Sequence, residues 1–212
     1  MSVDERVAGA IKVQLHDWRK ALDAGAERVG WKIGLNIPEV QERLGLREPV
    51  IGHLTSATRL EPGGSYPGGD ADELRAEPEV VIDVGGDGAI AAYGAAIELV
   101  DVGRPPADLE GIVQGNVFHR AFVLGQPRPA LPLEGVEAVL SVNGEERARA
   151  DTPDDLSEVV TLVARLLDAV GERLLEGDRI IAGSLTPPEP VGPGDRVSVD
   201  VGRLGGVEVR VT

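Results

Sequence analysis

Glu77 and Glu79 lie two residues apart in the stretch RAEPEVVIDVG, Arg75 to Gly85. In an extended chain that spacing puts both carboxylates on one face, about 6.5–7 Å apart at the backbone. Acids placed this way can converge on one cation, and carboxylates alone select a hard ion such as Mg2+, Mn2+ or Ca2+ over zinc. The same pattern also fits a solvated sheet edge, where acids are common. Pro78 points the other way, and its missing N–H suits a strand start or an edge. Glu98, in GAAIELVDV, faces away from Ile97 and Leu99 by strand alternation. A third carboxylate there would suit a three-acid metal site that leaves positions open for substrate oxygens. Taken alone, such an acid is more often just the exposed side of a strand.

Lys32, in GWKIG, sits among Trp31, Ile33 and two glycines. It reads either as a lysine reaching off the sheet into water or as a desolvated amine able to relay a proton. Asn116 falls on an otherwise apolar helical face, so it is either a structural hydrogen-bonding group or a substrate contact. The turn AGSL, Ala182 to Leu185, follows a strand, and backbone N–H groups of Gly183, Ser184 and Leu185 could hold a carboxylate. The histidines, His16, His53 and His119, show no ligand spacing. His53 and His119 are candidates to line a site, and His16 reads as a surface residue of the first helix.

These residues need elements to hold them. Val7, Ile11, Leu15, Trp18 and Leu22 predict a first helix, stopped near Gly25. RVGWKIGL reads as a short strand with Val29, Trp31 and Ile33 on one face and Lys32 on the other. NIPEVQERLGL predicts a helix with Asn36 as cap, Pro38 in the first turn and Gly45 at its end. The Gly- and Pro-rich stretch from Glu61 to Ala76 reads as loop, with a strand from Glu77 and a second over AIAAYGAAIELVDV. Leu109, Ile112, Val113 and Val117 predict a helix; Asn143-Gly144 predicts a hairpin. Leu156, Val159, Val160, Val163, Leu166, Leu167 and Val170 mark the most regular helix. DRIIAGSL, DRVSVDV and VEVRV read as strands. Many strands with few helices predict an α+β class rich in antiparallel or mixed sheet. No linker forces a boundary, so residues 1–212 read as one domain with a short N-terminal helical segment over about 1–25.

The chain has 212 residues, enough for a sizeable core, and a formal charge of −15. That charge argues against nucleic acid, which needs clustered Lys and Arg. An anionic substrate would need a local cation to hold it. No apolar run approaches a membrane span. The first residues lack a long apolar core and a small-residue cleavage site, so no secretory leader is expected. With no cysteine, disulfides, thiolate metal sites and cysteine nucleophiles are excluded. A cytoplasmic location is the default expectation.

VGWKIGLNIPEVQERLGLREPVIGHL, EPEVVIDV, AIELVD, FVLG and GDRIIAGSLTPPEPVGPGDRV occur in that order. This order resembles bacterial 2-oxopent-4-enoate hydratases and 4-oxalocrotonate decarboxylases of the fumarylacetoacetate hydrolase superfamily. The resemblance runs from about Val13 to the C-terminus. It implies a mixed β-roll with flanking helices, assembled into homo-oligomers, with a related partner subunit as a further option. It also implies a divalent-metal-dependent lyase, a hydratase or decarboxylase of a short 2-oxo or 2-hydroxy-dienoic acid in aromatic or related catabolism. Alternatives within the superfamily are acylpyruvate C–C hydrolysis, oxaloacetate decarboxylation, or a non-catalytic paralogue that keeps the metal pocket. Glu77, Glu79 and Glu98 match the acidic ligands, usually of Mg2+ or Mn2+, and Lys32 matches a lysine that assists proton transfer. Gly183 and Ser184 match the turn near the substrate carboxylate. Ser56 and Ala57 stand where the family often has an acid, and Gly115 where it often has Asp.

Overall fold

The computed structural model describes residues 3–212. The chain opens on α1 (Glu5–Asp23), then β1 (Arg28–Gly34), α2 (Pro38–Leu44) and β2 (Val50–Thr55). A single 3-10 turn, Ser56–Thr58, leads straight into β3 (Arg59–Leu60), and β4 (Ser65–Tyr66) interrupts the stretch read as loop. The long strands β5 (Leu74–Val84) and β6 (Ile90–Asp101) follow, then α3 (Leu109–Gln114), β7 (His119–Leu124) and β8 (Arg128–Pro129). The C-terminal part holds β9 (Glu137–Val142), β10 (Glu145–Asp151), α4 (Ser157–Asp168), β11 (Arg179–Ile181), β12 (Glu189–Pro190), β13 (Arg196–Asp200) and β14 (Gly206–Val211). The class is α+β, as the pattern predicted. Among the described residues no helix is long and apolar enough to cross a membrane.

Two sheets carry the fold. The larger runs β2-β1-β11-β5-β6-β7-β3, with β12 alongside β5 and β8 alongside β6. Its two ends, β2 and β3, are neighbours in sequence, joined only by Ser56–Thr58. So short a link forces the sheet to curl round until its ends meet, which creates an inner face. On that face Leu54, Val81, Ala96, Phe122, Leu124 and Ile181 form a small apolar cluster of their own. The second sheet, β10-β9-β13-β14-β4, shares one continuous core with the outer face of β5 and β6, where Val80, Ile82, Ala95, Ile97 and Leu99 meet Leu140, Val197, Val199 and Val209. Both faces of β5 and β6 are therefore covered, which explains their nearly unbroken apolar runs.

Helix α1 buries Val7, Ile11, Leu15 and Trp18, the face its spacing predicted, and is capped by Asp4, whose side chain accepts from Arg6 N. Trp18 and Trp31 pack in a tilted pair, 5.5 Å between ring centres. Arg28 lies over both rings and forks onto Asp178, which also accepts from Trp31 Nε1 at 3.2 Å. This lock holds the outer side of β1, with Lys32 on the inner side. At the predicted hairpin Asn143 and Gly144 both take positive φ, 56° and 82°.

Three local expectations need correction. Asn36 does not cap α2: Ile37 holds that position without a side-chain bond, and Asn36 Nδ2 donates instead to Ser184 O at 3.0 Å. The helix over Leu109–Val117 stops at Gln114, because Asn116, Val117 and Phe118 all adopt left-handed φ of 58°, 52° and 65°. Each costs roughly 1–2 kcal/mol for an L-residue, so surrounding contacts must hold the turn. Finally, Pro78 does not start its strand; β5 begins four residues earlier, at Leu74. Pro78 O accepts from Leu185 N at 3.0 Å, so its nitrogen faces the same side, between the end of β11 and the start of β12. No ladder hydrogen bond is lost there.

Candidate metal centre

The centre is built on the β5–β6 ladder. Glu77 pairs directly with Glu98, and Glu79 with Ala96, so strand alternation turns all three carboxylates to the inner face. One carboxylate oxygen from each lies within 4.8 Å of the others. Because β5 lies between β6 and β11, the solvated-edge reading of Glu77 and Glu79 does not hold. Glu79 and Glu98 are fully buried, and Glu77 is half-buried at the floor of a cleft of about 350 Å3.

Lys32 reaches the same floor from β1 and is 2% exposed, which removes the option of a lysine extended into water. Its Nζ lies 2.5 Å from Glu98 Oε1 and donates to Val117 O at 2.9 Å. Thus the strained turn after α3 has a visible consequence: it aims a carbonyl at the lysine. Gly52, beside Lys32 on β2, leaves the room this needs. A Cβ there would sit 2.5 Å from Asn116 Oδ1 and 2.8 Å from Lys32 Cγ.

The remaining candidate residues divide. Ser184 lines the cleft, its Oγ donating to Thr186 O at 2.7 Å. Gly183 N donates to Glu79 Oε2 at 2.7 Å, so this N–H orients that carboxylate and is not left for substrate. Leu185 N is engaged by Pro78, and its side chain packs on the main core. Asn116 uses its amide on the backbone of His53, accepting from His53 N at 2.8 Å and donating to His53 O at 3.0 Å. Of its two sequence readings, the structural one describes these contacts. His53 pairs with Trp31, on the sheet face opposite Lys32, and burial pushes its imidazole down to about 4.

His119 is a candidate from sequence, and the structure places it against the glutamate cluster. Its Nδ1 lies 2.7 Å from Glu98 Oε1 and its Nε2 lies 2.9 Å from Thr58 Oγ1. A bulge between Leu99 and Val100 brings His119, in place of Arg120, onto the inner face. Arg120 turns outward to Asp101. Nothing in the residue pattern signals such a one-residue shift.

Electrostatics fit a cation. Burial, then repulsion from Glu98, pushes the Glu77 carboxyl up to about 8, with Lys32 opposing. Burial and the neighbouring Glu98 and Glu77 hold Glu79 well above the usual range. Burial pushes Glu98 up as well, but Lys32 and His119 beside it outweigh this and leave it below the usual value. Three carboxylates and one ammonium leave a formal charge of −2 when ionised. Glu79 Oε1 and Glu98 Oε2 are buried without any hydrogen-bond partner. Unpaired buried oxygens are costly, and an all-oxygen set suits Mg2+, Mn2+ or Ca2+. The residues present therefore fit a hard divalent ion.

Comparison with known proteins agrees with this geometry. Residues 65–212 match the family described as fumarylacetoacetate (FAA) hydrolase C-terminal. The chain is 27% identical to 2-hydroxyhexa-2,4-dienoate hydratase of Comamonas testosteroni, over 97% of this chain and 86% of that one. It is 29% identical to 2-keto-4-pentenoate hydratase of Burkholderia vietnamiensis, over 99% and 87%. The structure of 4-oxalocrotonate decarboxylase from Pseudomonas putida G7, complexed with magnesium and adipate, superposes with a TM-score of 0.87 at 25% identity, covering 97% of this chain and 86% of that one. The same enzyme complexed with calcium and acetate superposes at 0.85. With a matching family domain over more than half its length, and with relatives that are hydratases and decarboxylases, the chain belongs to the fumarylacetoacetate hydrolase family.

Proposed function

We propose that this protein is a Mg2+- or Mn2+-dependent lyase that hydrates or decarboxylates a short 2-oxo or 2-hydroxy-dienoic acid. The proposal takes residues 1–212 as one catalytic domain, places it in aromatic or related catabolism, and includes assembly into a homo-oligomer. The observation that carries it is the convergence of Glu77, Glu79, Glu98 and Lys32 at one end of an apolar cleft.

In this reading the three glutamates hold the ion. When bound, the ion supplies positive charge that polarises the adjacent oxygens of a 2-oxo acid and stabilises the enolate form. Lys32 has one N–H on Glu98 and one on Val117, which fixes the amine while it exchanges a proton with the substrate as dienol and keto forms interconvert. Ser184 faces the substrate carboxylate, with Gly183 and Leu185 holding its turn. Ile33, Leu35, Val40, Val100, Val102 and Phe118 enclose the carbon chain and keep bulk water away from the conjugated system. A hydratase then adds water at the far end of that system. A decarboxylase uses the same electron sink to accept the pair released as the C–C bond to CO2 breaks.

Thermal shift with Mg2+ or Mn2+, with and without oxalate, tests the site, and dienoates, 4-oxalocrotonate, acylpyruvates and oxaloacetate test the reaction. A metal-dependent rise in Tm, enhanced by oxalate, together with chelator-sensitive loss of dienol absorbance, is the expected result. Full activity in excess chelator overturns the metal role. Pyruvate release from acylpyruvates alone moves the assignment to a hydrolase, and metal-dependent oxalate binding without any turnover moves it to a binding protein.

A further inference from the structure

Glu98 Oε1 receives two donors, Lys32 Nζ at 2.5 Å and His119 Nδ1 at 2.7 Å, while Oε2 receives none. An ionised carboxylate only accepts, so the His119 proton must lie on Nδ1. In the neutral ring, Nε2 is then an acceptor, and the group within reach is the Thr58 hydroxyl at 2.9 Å. Its other neighbour, Thr55 O, lies at 3.5 Å, too far to compete for the proton. The chain of bonds therefore runs from the Thr58 O–H to Nε2, and from Nδ1–H to Glu98. Thr58 closes the 3-10 turn that joins the two ends of the curled sheet, and it follows Ala57, where the resembling family often carries an acid.

We propose that Thr58 and His119 are a positioning pair: the Thr58 hydroxyl anchors the His119 ring by its Nε2, and the ring holds Glu98 so that only Oε2 faces the ion. This rests on the reading of Glu77, Glu79 and Glu98 as ligands and adds a cause for their geometry. Gly183 N restrains Glu79 in the same way, leaving Oε1. Two carboxylates confined to one oxygen each match Mg2+, which takes six ligands at short distance and near-octahedral angles. They match Ca2+ less well, since it accepts bidentate carboxylates and up to eight oxygens. The pair therefore favours Mg2+ over Ca2+.

The test titrates Mg2+ and Ca2+ against the whole protein by calorimetry, using wild type, Thr58→Val, Thr58→Ser and His119→Gln. Outer groups that orient ligands typically change metal affinity by about 10–100-fold. Thr58→Val, nearly the same in shape, is expected to weaken Mg2+ binding by a factor in that range and to narrow the Mg2+/Ca2+ preference, with Thr58→Ser restoring both. His119→Gln is expected to weaken Mg2+ binding as well. With only three histidines in the chain, ring nitrogen NMR reads the bond directly: Nε2 shows an accepted hydrogen bond in wild type and Thr58→Ser, lost in Thr58→Val. A purely structural threonine would lower Tm without moving the ion preference. Wild-type Mg2+ affinity in Thr58→Val overturns the pairing but leaves the metal site standing. Absence of Mg2+ binding to the wild type overturns both.

Discussion

Glu98, directly across the β5–β6 ladder from Glu77, forms a fully buried ion pair with Lys32 of β1, 2.5 Å from Nζ to Oε1. Breaking such a pair by removing one partner leaves a charge unpaired in the interior, which typically costs about 3–5 kcal/mol. The two partners should nonetheless fail differently. Lys32→Met should lower the Tm of the metal-free protein and reduce turnover by about 10^2–10^4-fold, yet keep Mg2+ binding, because the carboxylates lose their competitor. Glu98→Gln should lose Mg2+ binding and turnover together. Paired calorimetry and steady-state kinetics separate these outcomes, and loss of Mg2+ affinity in Lys32→Met would count against the assigned roles.

The raised carboxyl values of Glu77 and Glu79 make metal-free stability depend on pH. A carboxyl whose folded value lies above its unfolded value favours the folded state most below about 4.3, the unfolded value. That contribution is lost as pH rises towards the folded value, about 8 for Glu77 and well above the usual range for Glu79. Mg2+ competes with those protons, so the Tm gain from saturating Mg2+ should grow from pH 5 to 8, with proton release on binding. Differential scanning fluorimetry across that range, with and without Mg2+, measures it; a gain that is flat or falls with pH contradicts the clustered-carboxylate account.

Gly183 has φ of +103°, and its N–H orients Glu79. Alanine there meets the left-handed penalty and would place Cβ 2.9 Å from Asn36 Nδ2. Gly183→Ala should destabilise by about 1–3 kcal/mol and weaken Mg2+ binding, with urea unfolding and calorimetry as the measurements. Unchanged Mg2+ affinity would show that the Gly183–Glu79 bond does not matter to the ion.

Asp178 lies on the other side of β1 from the centre, holding Arg28, Trp31 Nε1 and Leu175 N. Asp178→Asn should cost about 3–5 kcal/mol by leaving the Arg28 guanidinium without its buried partner. Mg2+ affinity of the folded fraction should stay within a few-fold of wild type, because no ligand touches this lock. Chemical denaturation and calorimetry test the two halves independently.

The acidic trio, Lys32, the strands that carry them and the two amphipathic helices were legible from local spacing. Side-chain alternation is a local property, and the inner face of β5 and β6 follows from it directly. Burial was not legible in the same way. By spacing alone Glu77 and Glu79 read more readily as an edge, because the strands that cover them come from far along the chain, at β11 and β12. Asn36 looked like a cap by type, but its amide is drawn across the cleft to Ser184. Asn116 fell on a helical face only because the pattern continued past Gln114, where the backbone in fact turns left-handed to deliver Val117 O to Lys32. The pattern offered His119 as a candidate to line a site but not its contact with Glu98, because a bulge reverses which of two neighbours faces inward. Each miss reflects a backbone irregularity or a long-range contact that periodicity does not encode.

The seam of the curled sheet has a consequence for motion. Only Arg59 and Leu60 of β3 pair with β7, opposite Phe122 and Val123, whereas β5 and β6 are joined over their whole length. Local opening favours short ladders, so amide hydrogens along β3 and the facing part of β7 should exchange faster than those joining β5 and β6. Opening there would part Thr58 from His119 and wet the carboxylates while the central ladder stayed intact. An ion that binds only the closed roll would therefore register first as slowed exchange at this two-residue clasp, before any change in the strands that hold the ligands.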